Sequence, residues 1–397
     1  MKMTSRILTT LTTLSIAGLL AAACAAPPVT TAPTVAPPPA PTATPTAEAP
    51  QPTASPTAAP TETPAAADMA ITLTDALGRE VTLPTPPQRI VLTGRGLFMI
   101  ADAIYTFPEA GQRIVGMGET AQGSGNFIKL IDPAYDDKAT LERDASAEQV
   151  AALQPDLVIV KSTAAEATGK PIEALGIPVV YIDFETPAQY YRDLVILGKV
   201  FGNEARAQEV IAFYQTRVAQ VEQAVANAAR PRVLLLYYNE RDGAVSFNVP
   251  PLSWIQTEMV RLAGGEPVWS SAELGRGWTQ VTLEQIAAWD PDQIFVVSYF
   301  KNPAEVVANL KADANWQALR AAKAGRLYAF PADLYSWDQP DTRWILGLMW
   351  LAGRIHPDRF SGLDIEAEAK AFYQVLYGLD EDLFASKIKP TFKGDLP

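Results

Sequence analysis

Five side chains of this 397-residue sequence lie where they could hold a ligand. Each lies beside a predicted strand, turn or helix start. Aromatic rings stack on flat ligands, and an arginine adds charge-assisted hydrogen bonds. Core packing is the alternative for the aromatic residues, and a surface ion pair is the alternative for the arginine. The set predicts a site for a bulky, flat, anionic ligand, with these candidate contacts: Arg95, Asn126, Tyr238, Trp278 and Trp337.

The sequence contains one histidine and one cysteine, which limits its chemistry. It offers no Ser-His-Asp set, no His-Glu pair of metalloprotease spacing and no phosphate-binding loop. A carrier of bare zinc or manganese needs several imidazole or thiolate ligands, whereas a chelated metal or an oxyanion needs none. We therefore expect no catalytic residue, no metal site and no cofactor. His356 precedes a proline at a predicted helix end, where we expect a capping or surface residue.

Two segments of the sequence repeat one pattern, residues 146–156 and 282–292. Each predicts a short helix capped by Ser or Thr, then a Pro-Asp turn and a buried strand. Glu148 and Glu284 occupy matching positions in the first helical turns, where the helix dipole alone favours an acid. Because the Glu-Gln pair recurs in register, the repeat also predicts two similar lobes that a two-sided partner grips symmetrically.

The N-terminal segment has the pattern of a targeting sequence, residues 1–24. Lys2 and Arg6 precede an apolar stretch, and three alanines precede Cys24. Cys24 resembles the acylated cysteine of a bacterial lipoprotein, with conventional cleavage after the alanines as the alternative. Residues 25–68 are mainly Pro, Ala and Thr, and they predict a disordered tether that could reach on the order of 100 Å.

The remaining residues predict an α/β fold of two Rossmann-like lobes with a ligand cleft between them. Short apolar strands alternate with helices in residues 69–200 and again in residues 231–397, which is typical of parallel sheets covered on both faces. Residues 201–230 carry apolar positions at helical spacing and predict a single long, rigid helix that joins the lobes.

The charge of the sequence argues against nucleic acid as a partner. It contains 32 Lys and Arg against 44 Asp and Glu, a net charge of −12. No basic cluster is present that would bind phosphates or an anionic membrane surface. Contact with a membrane is expected through the lipid anchor alone.

Several ordered motifs resemble the substrate-binding proteins of ABC importers, in the helix-braced class that takes ferric siderophores, haem and cobalamin. They are the Asp-Ala-Leu-Gly-Arg-Glu-Val stretch from Asp75, the Arg-Ile-Val strand from Arg89, both repeats, and the Asn-Trp-Gln-Ala-Leu stretch from Asn315. The resemblance implies a monomer outside the cytoplasm that captures a metal chelate, with ferric siderophore as the leading ligand. Haem, cobalamin and molybdate-type oxyanions are the alternatives.

The same resemblance implies a partner, an ABC permease dimer with its ATPase. Glu148 and Glu284 match the two glutamates of the family that meet arginines on the permease subunits. A sensory receptor module and an extracytoplasmic enzyme that uses the same cleft remain as alternatives from other functional classes.

Overall fold

A computed structural model describes residues 70–122 and 125–396. The predicted signal segment with Cys24, and the tether at 25–68, lie outside the described residues and stay predictions. Within those two ranges no helix has both the length and the apolar character needed to span a membrane.

The N-terminal lobe is built on a five-stranded parallel sheet. A small antiparallel hairpin precedes it, formed by β1 (Ile71–Thr74) and β2 (Glu80–Leu83). The sheet has the strand order β5-β4-β3-β6-β7. Four of its strands lie where apolar runs of the sequence predict them: β3 (Ile90–Leu92), β4 (Ile114–Met117), β6 (Leu157–Lys161) and β7 (Val179–Ile182). The fifth, β5 (Ala139–Thr140), is a two-residue edge strand without an apolar run, and the sequence does not predict it.

The C-terminal lobe contains a mixed sheet with the order β11-β9-β8-β12-β13, and β10 pairs with β8. Strand β8 continues past the predicted end at Tyr238 and turns back as an antiparallel hairpin with β9. The fully parallel sheet expected here is therefore replaced by a mixed one. Its strands are β8 (Arg232–Arg241), β9 (Ala244–Val249), β10 (Glu266–Pro267), β11 (Thr279–Val281), β12 (Gln293–Val297) and β13 (Leu327–Ala329).

Helices cover both sheets and connect the two lobes. In chain order they are α1 (Leu97–Ile104), α2 (Ala110–Arg113), α3 (Phe127–Ile131), α4 (Ala147–Ala151), α5 (Lys170–Glu173), α6 (Pro187–Phe201), α7 (Glu204–Val225), α8 (Ile255–Leu262), α9 (Leu283–Trp289), α10 (Pro303–Ala312), α11 (Ala314–Gln317), α12 (Arg320–Lys323), α13 (Trp344–Ile355), α14 (Ile365–Tyr377) and α15 (Glu381–Leu383).

Helix α7 is the predicted long helix between the lobes. The Asn203 side chain caps it by accepting a hydrogen bond from the Arg206 backbone N–H at 3.1 Å. Along its length α7 packs against α6 of the first lobe and against α13 and α8 of the second. The fold is confirmed as two α/β lobes joined by a long helix, with a cleft between them.

A buried ionic cluster also joins the lobes. Arg343, just before α13, is fully buried and pairs with Asp102 of α1 in the other lobe. It also pairs with Asp333 at 2.7 Å and with Asp341 at 3.5 Å. The lobes therefore share a polar core in addition to α7, which restrains their relative motion more than one connecting helix would.

Candidate functional site

The cleft lies at the carboxyl ends of the parallel strands of both lobes, where open α/β sheets commonly bind ligands. One cavity of about 170 Å³, here called the aromatic cavity, has two residues from the first lobe and six from the second. A neighbouring cavity of about 250 Å³, here called the polar cavity, contains Glu119, Gln122, Arg143 and the turn before α1. The aromatic cavity is lined by Met99, Glu185, Trp254, Gln256, Trp278, Tyr299, Gln339 and Pro340.

Four aromatic rings from separate segments of the second lobe meet at the aromatic cavity. Tyr237 lies behind Tyr299, with ring centroids 4.5 Å apart, and its centroid is 5.0 Å from that of Trp278. Trp254 meets Trp278 edge to face at 5.7 Å. Such contacts hold the rings in a fixed arrangement, so the wall of the cavity is formed before a ligand arrives.

Trp278 is thus the sequence candidate that the structure places in the cleft. Tyr238 points elsewhere, because side chains along a strand alternate between the two faces. Tyr237 faces Trp278 and Tyr299, whereas the Tyr238 ring packs near Phe247 and its hydroxyl donates to Glu240 at 2.7 Å. The tyrosine that joins the site is therefore Tyr237, one residue before the one chosen from the sequence.

Arg95 lies at the rim of the cleft and not in either cavity. Its side chain is 75% exposed and pairs with Asp144 at 3.3 Å, which is the surface ion pair considered as the alternative. Gly94 and Gly96 on either side have positive φ angles of 107° and 66°, so this stretch is a tight turn that leads into α1. The arginine that lines the polar cavity is Arg143, which follows β5.

The other two sequence candidates have structural roles. Asn126 caps α3, since its side-chain oxygen accepts from the Lys129 backbone N–H at 3.1 Å. Trp337 is fully buried, and its indole N–H donates to Asp333 at 2.9 Å. Neither side chain lines the two cavities, so the structure does not bring these two together with Trp278.

Acidic and amide groups surround the aromatic cavity. The Glu185 carboxylate pairs with the buried ammonium group of Lys161. Behind the wall, Asp338 accepts hydrogen bonds from Tyr299 at 2.9 Å and from Gln256 at 3.3 Å. Burial raises the pKa of Asp338, and burial together with the neighbouring Asp338 charge raises the pKa of Tyr299 well above its usual value. The Tyr299 phenol is therefore neutral at physiological pH.

Hydrogen bonds across the cleft connect the lobes next to the cavities. The side-chain amides of Gln122 and Gln339 exchange two hydrogen bonds of 2.8 Å. The Tyr335 hydroxyl donates to the Thr120 carbonyl at 2.6 Å and accepts from the Phe127 backbone N–H at 3.0 Å. The cleft is thus closed on one side by polar contacts between residues more than two hundred positions apart.

The repeated segments have the same local structure in both lobes. Ser146 and Thr282 cap α4 and α9, and the following glutamines complete a capping box in each. Asp156 accepts from the Arg89 backbone N–H at 2.9 Å, and Asp292 does the same for Arg232 at 2.7 Å. Caps, glutamines and turn aspartates therefore recur for structural reasons.

Glu148 and Glu284 are the repeated side chains that these local contacts leave unexplained. Both are exposed, and neither forms an ion pair with residues 70–122 or 125–396. Hydrogen bonding to Ser146 lowers the pKa of Glu148, and bonding to its own backbone N–H lowers that of Glu284. Since α4 and α9 begin at the carboxyl ends of the strands, both carboxylates lie on the same side of the molecule as the cleft.

Sequence reasoning missed several residues of the cleft. Tyr299 and Phe300 lie within three residues of the end of β12, and Glu185 within three residues of the end of β7. The rule that ligands gather at strand ends therefore identifies them. Phe300 is 71% exposed and borders the polar cavity, an unusual position for a large apolar side chain. The same rule does not identify Trp254, because this residue follows a loop and precedes α8 instead of following a strand.

His356 lies at the end of α13, as expected. In the described part of the chain, no three His, Cys, Asp or Glu side chains form a group that could hold a metal ion.

Comparison with known proteins decides the family. A model of a periplasmic binding protein family matches residues 119–334, more than half of the chain. The chain belongs to this family. Its members bind substrates outside the cytoplasm for ABC uptake systems and deliver them to a permease and its ATPase, and they are not enzymes.

The chain is similar over most of its length to the molybdate-binding protein MolA of Haemophilus influenzae, with 27% identity over 77% of this chain and 90% of that protein. It is also similar to a cobalamin-binding protein of Halobacterium salinarum, at 27% identity over 58% and 59% of the two chains. A ferric enterobactin-binding protein, FepB of Escherichia coli, shows 28% identity over 43% and 55%.

Among solved structures, a periplasmic solute-binding protein of Veillonella parvula superposes with a TM-score of 0.64. The match covers 81% of this chain and 97% of that one, at 24% identity. This likeness confirms the fold.

Proposed function

We propose that this binding protein captures a bulky organic metal chelate, with a ferric siderophore as its ligand, and passes it to an ABC permease. The observation that carries the proposal is the aromatic cavity between the lobes, with four packed rings beside it. Aromatic walls bury large apolar or conjugated surfaces, which organic chelates have and hydrated ions lack.

The composition of the aromatic and polar cavities favours a chelate over a free oxyanion. An oxyanion requires several hydrogen-bond donors or cations that converge on one point. Among the described residues, Arg143 is the one arginine or lysine that lines the two cavities, and Glu119 lines the same cavity. Molybdate, bound by the relative from Haemophilus, therefore fits these two cavities less well than a chelate. Cobalamin and haem remain the competing bulky ligands.

For docking, we propose that Glu148 and Glu284 contact one permease subunit each. Support comes from their matching positions on α4 and α9, their exposure and their ionised state at neutral pH. Arginines on the permease are the complementary groups, because carboxylate–guanidinium pairs combine charge with two parallel hydrogen bonds. Attachment through an acylated Cys24 and the tether of residues 25–68 would keep the protein close to its permease.

The direct test is to purify the protein with its native ligand and record mass and absorbance. A ferric siderophore gives a charge-transfer band and one equivalent of iron, whereas haem, cobalamin and molybdate each give a different signature. Recovery of stoichiometric molybdenum without an organic chelator would contradict the proposal, and so would turnover of a substrate in the cleft. Protein stripped of ligand and titrated with each candidate provides the control.

A further inference from the structure

Two carboxylates lie close to the aromatic cavity. Glu185 lines it directly, and the buried Asp338 lies behind Tyr299 and Gln256. Lys161, which is buried, already pairs with Glu185. Two carboxylates and one ammonium group leave one net negative charge beside the cavity when both acids are ionised.

Gln256 contributes an acceptor whose orientation is set by its neighbour. Its Nε2 donates to the Asp338 carboxylate, and a flipped amide would instead place two acceptor oxygens against each other. Gln256 is 2% exposed, and its Oε1 has no hydrogen-bond partner among the described residues. A donor group on the ligand would satisfy this oxygen, since a buried acceptor without a partner is costly.

Three of the rings that line the cavity are steeply inclined to one another. The planes of Trp254 and Trp278 meet at 85°, and those of Trp278 and Tyr299 meet at 62° with centroids 6.2 Å apart. Ring faces attract cations through their quadrupole, most strongly when water is excluded. The hydrogen bond from Tyr299 to Asp338 polarises the phenol and adds to this attraction.

We propose that the aromatic cavity is a subsite for a positively charged, hydrogen-donating arm of the ligand, such as a protonated primary amine. This rests on the proposed function and selects a class of chelate within it, ferric complexes of zero or positive net charge with an ammonium arm. It differs from the anionic ligand expected from the sequence, an expectation that rested in part on Arg95, which lines neither cavity.

The size of the cavity agrees with an arm and not with a whole chelate. A cavity of about 150 Å³ holds a group of roughly six heavy atoms. At about 170 Å³, the aromatic cavity admits a short alkylammonium chain. The metal centre then lies in the wider part of the cleft, towards the polar cavity and Phe300.

The test compares two ligands that differ only at the arm. One is the iron(III) complex of a linear trihydroxamate with a free terminal amine, and the other is the same complex with that amine acetylated. Tryptophan fluorescence titration of the wild-type protein gives both affinities. We expect the amine form to bind roughly 10- to 50-fold more tightly, in the range of a desolvated cation–π contact with a nearby carboxylate.

Two variants locate the effect. Glu185→Gln removes a carboxylate from the cavity and leaves Lys161 without its partner. The variant should lose most of the preference for the amine form, while its affinity for the acetylated form changes little. Glu266→Gln changes an exposed acid of β10 that lines neither cavity, and it should keep the preference. Circular dichroism of both variants verifies folding.

Equal affinity for the two trihydroxamates would overturn the cation subsite and leave the proposed function intact. Binding of an anionic iron(III) tricatecholate, with no binding of either trihydroxamate, would have the same meaning. Failure to bind any metal chelate, including haem and cobalamin, would reject the proposed function and the subsite together.

Discussion

The buried cluster around Arg343 allows a prediction in which two substitutions of contacting residues differ strongly in their cost to stability. Arg343 is fully buried and is the cation shared by Asp102, Asp333 and Asp341. Arg343→Met would leave three buried carboxyl groups without their cationic partner. Removing one partner of a buried ion pair costs about 3–5 kcal/mol, and here the partner serves three acids. We therefore expect a loss at the upper end of this range, enough to unfold a marginal protein.

Asp102→Asn should behave differently, because it removes one of the three acidic groups around Arg343 and keeps the side-chain volume. Burial raises the pKa of Asp102 to about 6, even though Arg343 opposes the shift. The ionised form of this carboxyl is therefore the unfavourable one inside the fold. We expect Asp102→Asn to cost less than about 1.5 kcal/mol, in the range of one ordinary hydrogen bond.

The pH dependence follows from the same shift. A carboxyl with a higher pKa in the folded state binds its proton more tightly when folded, so its protonation favours folding. The wild-type free energy of unfolding should then gain a contribution as the pH falls from about 6 towards 3.8, the ordinary value for Asp. Asp102→Asn should lose that contribution. Asp193, whose pKa burial also raises to about 6, keeps part of the trend in both proteins.

Urea unfolding followed by tryptophan fluorescence, at several pH values between 4 and 8, measures all three proteins. Coincidence with far-ultraviolet circular dichroism would verify a single transition. A loss for Asp102→Asn as large as that for Arg343→Met would refute the reasoning, since it would mean that the Asp102 charge is needed. An unchanged pH dependence in Asp102→Asn would also contradict it.

Three further predictions concern the anchor, the docking surface and the cleft. Cys24→Ala should move the protein from the membrane fraction to the soluble fraction without changing ligand affinity; an unchanged membrane fraction argues against the anchor. Charge reversal of both Glu148 and Glu284 to Arg should abolish uptake in cells and keep ligand affinity, because unpaired charges at an interface cost several kcal/mol; a fall in affinity would assign them to the ligand site. Trp278→Ala should weaken chelate binding by roughly 10- to 100-fold. Tyr238→Ala should not, because Tyr238 lies on the face of β8 that points away from Trp278. If both variants lost the same affinity, the loss in Trp278→Ala would not be specific to the aromatic cavity.

Several features of the fold could be read from short stretches of sequence. The strands of the first lobe, the cap at Asn203 and the paired helices after Ser146 and Thr282 all depend on residues within one or two turns of each other. Local hydrogen bonds and apolar periodicity determine such elements, so their signals survive without knowledge of the partners. The hairpin of β8 and β9 was missed, because polar Asn239 to Asp242 resemble the end of a strand as much as its continuation.

The candidate site was predictable only in part. Trp278 was found because it precedes a repeated segment, whereas Arg95 and Asn126 were chosen from loops whose roles are a turn and a helix cap. Trp337 follows a strand in the sequence, yet the chain folds it into the core. Position beside a strand end selects a region of the molecule, and the path of the following loop then decides which side chains face the cleft.

By itself, the sequence determined the class of protein, the two-lobed α/β fold and the scarcity of residues that could bind a metal or catalyse a reaction. These properties depend on composition, on local sequence patterns and on the repeated segment. The tertiary structure alone decided that Tyr237 and not Tyr238 joins Trp278, because a shift of one residue along a strand reverses the face. It also decided that Arg343 meets Asp102 across the lobes. Residues this far apart in sequence come together through sheet order and loop path, which no local pattern records.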